Sequence, residues 1–344
     1  MQIKVWSTLE ELEDKADAWN NLLLKSASHV PFLRHEYLTT WWKTLGGGEW
    51  QSGSLHVIAA LTGDGELTGI APLFHTKNLD GKSALMFIGS IEISDYLDFL
   101  AAPEELPIFM DALLDHLNTQ QAINWEVLDL YNIQEESLSL SGLESAVKEI
   151  GWNLTKERIQ PAPSIKIPNS WDDYLLGIKK KQRHEIRRKI KRAENHDLPI
   201  RWYIVEDEAM LDNEIEAFLD LMALDHHKEA FLTEIMREQM GESIHTAFRS
   251  GWLQLAFLVI GEEKIAAYLN FDYDNKLWVY NSAINPEFYY LSPGWVLLSY
   301  LIQWAIDNGR EVLDFMRGDE IYKYRFGGID RHVLRVQITK SVNR

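Results

Sequence analysis

The sequence contains no cysteine in its 344 residues, which excludes disulfides, thiolate metal sites and cysteine nucleophiles. Long apolar runs are also missing, and none approaches the ~18 residues that a membrane-spanning helix needs. The first twenty residues, MQIKVWSTLEELEDKADAWN, lack the apolar stretch of a secretory leader and soon turn acidic, so a cytoplasmic protein is expected. Positive charge is scarce: 34 Lys and Arg face 52 Asp and Glu, for a formal net charge of -18. That balance argues against general nucleic-acid binding, DNA included, and leaves room for one local anion site. No His-x-x-x-His pair is present. His226 and His227, in ALDHHKEAF, are neighbours that a helix would point about 100° apart, so they read as a surface helix end and no metal is expected.

What is present is globular. Apolar residues make up 46%, charged residues 25%, and Trp, Phe and Tyr number 13 each, enough to fill a core. The length suggests two domains. A strand is predicted over Gln2 to Trp6, then helices from Leu9 to about Lys25 and from His35 to about Leu45. Strand patterns follow at 55–61, 67–76 and 83–89, separated by the turns TGDGE and NLDGK. A loop, SDYLDFL (94–100), leads to a helix at 104–120, a strand at 125–133 and a helix around Leu143 to Ile150.

The second half runs in the same order. A strand is predicted at 200–205, helices at 213–229 and 234–249, and strands at 253–260, 265–273 and 277–284. A helix at 295–309 and a strand at 311–318 complete it. EVLDLYNI (126–133) and EVLDFMRG (311–318) each follow a long helix, and TGDGELTGIAPLF and IGEEKIAAYLNF are matching strand-turn-strand joints. Each half therefore reads β-α-α-β-β-β-α-β, a duplication. The break is expected in IQPAPS, giving domains 1–157 and 158–344.

One stretch contradicts the acidic composition. KKKQRHEIRRKIKRAE (179–194) carries nine Lys or Arg from Lys179 to Arg192 and, over the same span, one carboxylate, Glu185. Ile178, Gln182, Ile186, Ile190 and Ala193 recur at helical spacing and predict an inward stripe. Arg183, Arg187 and Lys191 form one ridge beside it, and Lys180, His184 and Arg188 another. An anion nearby would offset this density of charge; the plain alternative is a solvated face, where exposed ion pairs add little.

The element order resembles the GNAT superfamily of acyl-CoA-dependent N-acyltransferases. PFLRHEYLTTWW (31–42), SDYLDFL, KKQRHEIRRKIKRAE (180–194), LSPG (291–294) and DFMRGDEIYKYRFGG (314–328) look like the tandem branch labelled cellulose-biosynthesis-associated or BioF-like acetyltransferases, cousins of the Fem-type peptidoglycan-bridge transferases. The resemblance implies an α/β (α+β) fold of two tandem GNAT-like domains, with mixed, mostly antiparallel sheets flanked by helices. It implies transfer of an acyl group, acetyl first among candidates, from acyl-CoA to an amine or hydroxyl of an anionic acceptor, perhaps sugar-linked, in polysaccharide biosynthesis.

Residue by residue, LSPG stands where a GNAT protein has its pyrophosphate-binding turn, so Ser292, Gly294 and Trp295 become cofactor-binding candidates. A helix start suits an anion through its free N–H groups and dipole. An ordinary Ser-Pro helix start explains it equally, and only one glycine of the usual pattern is present. The matching loop of the first half lacks glycine and carries Asp95, Asp98, Glu104 and Glu105, so that domain is expected to be degenerate, with Asp95 and Tyr96 facing an acceptor cleft or lying on a surface loop.

Acyl transfer needs a base for the acceptor and an acid for the departing thiolate. In the resembling enzymes a tyrosine just after the last strand often serves as the acid, so Tyr322 or Tyr324 inherits that role, with Asp319 or Glu320 as base and Arg317 and Lys323 beside the substrate. A salt-bridged structural turn is the alternative. In the Fem-type cousins an Arg-x-x-Ile-Arg segment lies by a nucleotide-sugar diphosphate; Arg183, Ile186 and Arg187 match it, and Lys43 is comparably placed in the first domain. A tRNA partner is disfavoured because the two-helix arm of several relatives is missing. A non-catalytic glycan or polyphosphate binder is the remaining alternative.

Overall fold

The computed structural model describes residues 1–119 and 123–341, and these divide into two compact units, Met1–Pro161 with the segment from His332, and Ala162–Arg331. The first unit runs β1 (Gln2–Trp6), α1 (Ala16–Leu23), α2 (His35–Gly48), β2 (Ser54–Leu61), β3 (Leu67–Lys77), β4 (Ser83–Phe87), β5 (Leu100–Ala101), α3 (Leu106–Thr119), β6 (Val127–Gln134), α4 (Leu138–Glu149) and β7 (Asn153–Pro161). The helix predicted from Leu9 begins only at Ala16, because the Glu11 carboxylate accepts the Ser7 N–H at 2.7 Å and closes a local turn instead. Residue 120, the predicted end of the helix that became α3, lies outside the described residues.

The second unit contains β8 (Ser164–Lys166), α5 (Trp171–Gly177), α6 (Lys180–Glu194), β9 (Ile200–Ile204), α7 (Glu208–Ala223), α8 (His226–Phe231), α9 (Glu234–Arg249), β10 (Leu253–Ile260), β11 (Glu263–Tyr273), β12 (Lys276–Ile284), α10 (Pro293–Asp307), β13 (Val312–Asp314) and α11 (Ile321–Arg325). Its sheet has the order β8-β13-β12-β11-β10-β9. All neighbours are antiparallel except β12 and β13. The helix predicted over 213–229 breaks in two, since the Asp225 carboxylate accepts the N–H groups of His227 and Lys228 at 2.9 and 3.3 Å and caps a new helix. The strand predicted over 311–318 stops at Asp314, whose Oδ1 accepts the Met316 N–H at 2.8 Å, with Met316 at φ +62.

The final strand, β14 (His332–Thr339), belongs to the first unit. It inserts between β6 and β7, antiparallel to both, in a sheet of order β1-β2-β3-β4-β6-β14-β7 with β5 paired to β3. The boundary read at 157/158 thus falls inside β7, and residues from 332 onward, assigned by sequence to the second domain, pack with the first unit. Each unit follows the order β-α-α-β-β-β-α-β, with β5 added in the first and the first helical pair split into α7, α8 and α9 in the second, around one parallel pair, β4 with β6 and β12 with β13. The core of the second unit is built on apolar side chains, with Leu258, Ile265, Val296, Leu301 and Leu313 fully buried between sheet and helices.

Candidate active site

The parallel strands β12 and β13 pair at Lys276–Val312, Leu277–Leu313 and Trp278–Asp314, and then part. Beyond that point β12 continues to Ile284 with β11 alone. Its register also slips: Leu269 faces Asn281 while Asn270 faces Val279, so Tyr280 is an extra, bulged residue. Bulges free ladder groups and re-aim side chains, and they recur beside active sites. The far half of β12 therefore borders the gap where the two strands part, the candidate cleft of the second unit.

Helix α10 starts at this cleft. Ser292, at φ +58, turns the chain, and Pro293 occupies the first helical position. A Cβ on Gly294 would lie 2.6 Å from Cδ1 of Ile284, so a larger residue here would make the tip of that side chain shift. The first turn is less open to an anion than the sequence suggested. Pro293 has no N–H, and those of Trp295 and Val296 both return to the Ser292 carbonyl at 3.0 and 3.2 Å. At most the Gly294 N–H is left to face outward.

Cations come instead from α6, which packs along α10. Lys189 sits 3.9 Å from the centre of the Trp295 ring, and Arg192 donates to the Tyr290 carbonyl just before the turn. The Trp295 ring also leans on Phe326, with centroids 4.8 Å apart. Burial lowers the Lys189 pKa, with Glu185 opposing that shift.

Tyrosine hydroxyls face the same helix start. The buried Tyr268 of β11 donates to the Gly294 carbonyl at 3.3 Å. Burial, and Tyr322 close by, push its pKa well up. Tyr322 is itself held protonated by burial first and by the Glu320 charge second, and its ring meets Phe315 edge-on. Tyr324 turns away: it is more than a third exposed, and its pKa is pushed up to about 12 by desolvation and by a hydrogen bond to Asp330.

The sequence contains a further site residue that its histidine neighbours obscured. Lys228 of α8 donates to Asn281 Oδ1 at 2.9 Å and to the Ser282 carbonyl, both on the unpaired part of β12. Desolvation lowers its pKa, while Asp225 and Glu320 pull it back. An ammonium so placed joins α8 to the cleft wall opposite Glu320. The signal available in ALDHHKEAF was its Asp225 cap, which starts a helix at His226 and puts Lys228 in its first turn.

No curated protein matches the chain in sequence. The family model for the acetyltransferase (GNAT) domain matches residues 180–324. That stretch of the second unit is thus similar to a GNAT acetyltransferase domain. Among solved structures it is similar to FemX, at 13% identity and TM-score 0.66, with 97% of each chain covered. A conserved protein of unknown function from Bacteroides thetaiotaomicron is 12% identical with TM-score 0.63, over 98% of this chain and 100% of that one. The C-terminal domain of a putative lysylphosphatidylglycerol synthetase from Agrobacterium fabrum is 10% identical with TM-score 0.58, over 95% and 92%. At such identities these likenesses establish a shared fold.

Within the GNAT domain, Ser292, Gly294, Trp295 and Tyr322 come together, and Glu320 stands beside Tyr322. Lys323, expected at the substrate, is buried and committed to the turn: its ammonium donates to the carbonyls of Met316, Arg317 and Gly318 at 3.2, 2.6 and 3.3 Å and pairs with Glu320 at 2.9 Å. All of its N–H groups are occupied, so it is a structural staple. Arg317 is half-buried and Asp319 exposed. On α6, Arg187 is exposed and only loosely paired with Asp172 at 3.8 Å, while Arg183 is half-buried with its Nε lacking any hydrogen-bond partner. A buried, unpaired guanidinium nitrogen is costly and marks a place for an acceptor atom.

In the first unit, Lys43 is exposed on α2. Asp95 and Tyr96 are buried, not on a surface loop, and the Tyr96 ring meets Phe32 edge-on. Asp98 is likewise no surface charge. Ser28 and Ser137 donate to it in the interior, and burial raises its pKa. Among the described residues no cluster of three or more metal-ligating side chains occurs, and no helix is long and apolar enough to cross a membrane.

Proposed function

We propose that the GNAT domain moves an acyl group, most simply acetyl, from acyl-CoA to an amine or hydroxyl on an anionic, sugar-linked acceptor. The observation that carries this reading is the parting of β12 and β13 beside the start of α10, with Tyr268, Tyr322 and Lys228 converging on it. A narrow cleft between parted strands suits an extended thioester chain, and the Lys189–Trp295 pair offers a cation at its phosphate end. The first unit, without a glycine turn, is read as degenerate and as lacking a coenzyme site.

In this reading Tyr322 is the acid. Burial keeps the Tyr322 phenol protonated, so that its O–H is on hand to hydrogen-bond to the sulfur and give it a proton as the thioester C–S bond breaks, with Tyr268 close by. Glu320, whose side chain is 57% exposed, can take the proton that the acceptor loses, so one proton leaves the acceptor and one reaches the thiolate. Arg183 and Arg187 hold the acceptor's anionic group. Polysaccharide biosynthesis and a cytoplasmic location belong to the same proposal. The test is calorimetry of the purified protein with acetyl-CoA and with CoA. Binding of either with one site per chain supports the reading, and absence of both, in folded protein, rejects it.

A further inference from the structure

We infer that the outward face of α6 docks on a surface of anionic phospholipid. At 100° per residue, Arg187, Lys180, Lys191, His184, Arg188 and Lys181 fall in one arc of about 120°, along most of a helix about 22 Å long. All six are exposed. The opposite face, with Ile186, Ile190 and Ala193, packs inward against the core. Glu185 pairs with Arg188 at 2.7 Å and approaches Lys189 at 3.6 Å; among the described residues Lys180, Lys181 and Lys191 make no ion pair. On a chain with a net charge of -18, a face this uniformly basic is unusual.

The extent of the face points beyond the acceptor site at its edge. One phosphate or diphosphate occupies one or two side chains, such as Arg183 and Arg187, and leaves Lys180, Lys181 and Lys191 of the row without a counter-charge among the described residues. A membrane presents charge across a plane and matches the full row. Leucines stand next to both ends of α6 in sequence: Leu176 is 66% exposed just before it and Leu198 53% exposed just after it. Tyr290, 54% exposed, is held by Arg192 near the same helix. Aliphatic side chains gain nothing from nucleic acid but partition into the headgroup boundary of a bilayer. This favours lipid over RNA. The inference rests on the proposed function only in making the acceptor a molecule borne at that surface.

The experiment is co-sedimentation of the full chain with vesicles of phosphatidylcholine alone and of phosphatidylcholine doped with phosphatidylglycerol. Binding is expected to the doped vesicles only, and to be reversed by salt. Replacing Lys180, Lys181 and Lys191 by Gln should weaken it about a hundredfold, at roughly fivefold per charge, while leaving acetyl-CoA affinity unchanged. Equal binding to both vesicles, no binding, or an unaltered triple variant overturns the inference. So does tighter binding to single-stranded RNA than to the doped vesicles. Vesicle binding without coenzyme binding would reject the acyl-transfer reading and keep this one; coenzyme binding without vesicle binding would do the reverse.

Discussion

Arg335 of the last strand donates to both oxygens of Asp129 on β6, through Nε at 2.9 Å and a terminal nitrogen at 2.8 Å. Asp129 is fully buried, and Asn78 donates to it as well, at 2.7 Å. The guanidinium also reaches Asp80 and covers the Tyr131 ring, and the paired carboxylates raise its pKa. This two-pronged bond fixes the register of β14 between β6 and β7.

Arg335→Met should therefore leave a buried carboxylate with only one side-chain donor. Removing one partner of such a pair costs about 3–5 kcal/mol. Urea unfolding of the variant should show the lower midpoint, and Asp129→Asn combined with Arg335→Met should recover part of the loss. A single-variant loss under 1 kcal/mol would mean that the pair is a solvated one.

Acid should weaken the first unit through His56, which is buried between β2 neighbours. Desolvation first, and then His116 and His75, hold its pKa down to about 4, against an ordinary value near 6.5. Between those two values the unfolded chain binds the extra proton, so stability falls as pH falls through that window. The slope reaches about 1.4 kcal/mol per pH unit, for a total of up to about 3 kcal/mol. His56→Gln should flatten the profile of unfolding midpoint against pH; an unchanged slope would assign it to other groups.

The two tyrosines of α11 should behave differently. Tyr322→Phe removes a protonated phenol from beside Gly294 and should lower kcat by about a hundredfold or more with little change in coenzyme affinity. Tyr324→Phe breaks only the bond to Asp330 and should leave kcat within a few-fold. The reverse order would assign the acid to Tyr324.

How far these residues could be read in advance depended on the range of the forces involved. Periodicity exposed the buried strands β10 to β12, which alternate or run apolar, and α9, which begins and ends where the pattern does. It missed β7, whose residues NLTKERIQP are mostly polar because it is an edge strand bonded on one side by β14. Nothing local in HVLRVQIT states that its partners lie some 170–200 residues upstream, since register is set by pairs such as Arg335–Asp129. Motif spacing could single out Tyr322 and the start of α10, but not the packing that meets Gly294 or the hydrogen bonds that hold Lys323. Gly294 answers to Ile284, which only the folded sheet brings near, and Lys323 to three carbonyls of its own turn. A Gly294→Asp substitution would thus clash with Ile284 whatever the ligand, and cannot report on the coenzyme.

The basic helix yields the sharpest division of roles, because its residues sit on different sides of one cylinder. Lys189 faces inward over Trp295, and Arg187 faces out with a weak partner. Lys189→Met, similar in length and still able to cover the ring, should weaken acetyl-CoA binding about tenfold, as expected for one charge-assisted contact near 1.5 kcal/mol. It should leave acceptor binding nearly unchanged. Arg187→Ala should do the opposite, by only about three- to tenfold, because the side chain is 55% exposed and its field is screened. Added salt should reduce acceptor binding by the wild type more than by the Arg187 variant. Calorimetry on both variants with both ligands gives four affinities. If Arg187→Ala and Lys189→Met weaken the same ligand, the helix serves one anion and the separation of coenzyme from acceptor along it fails.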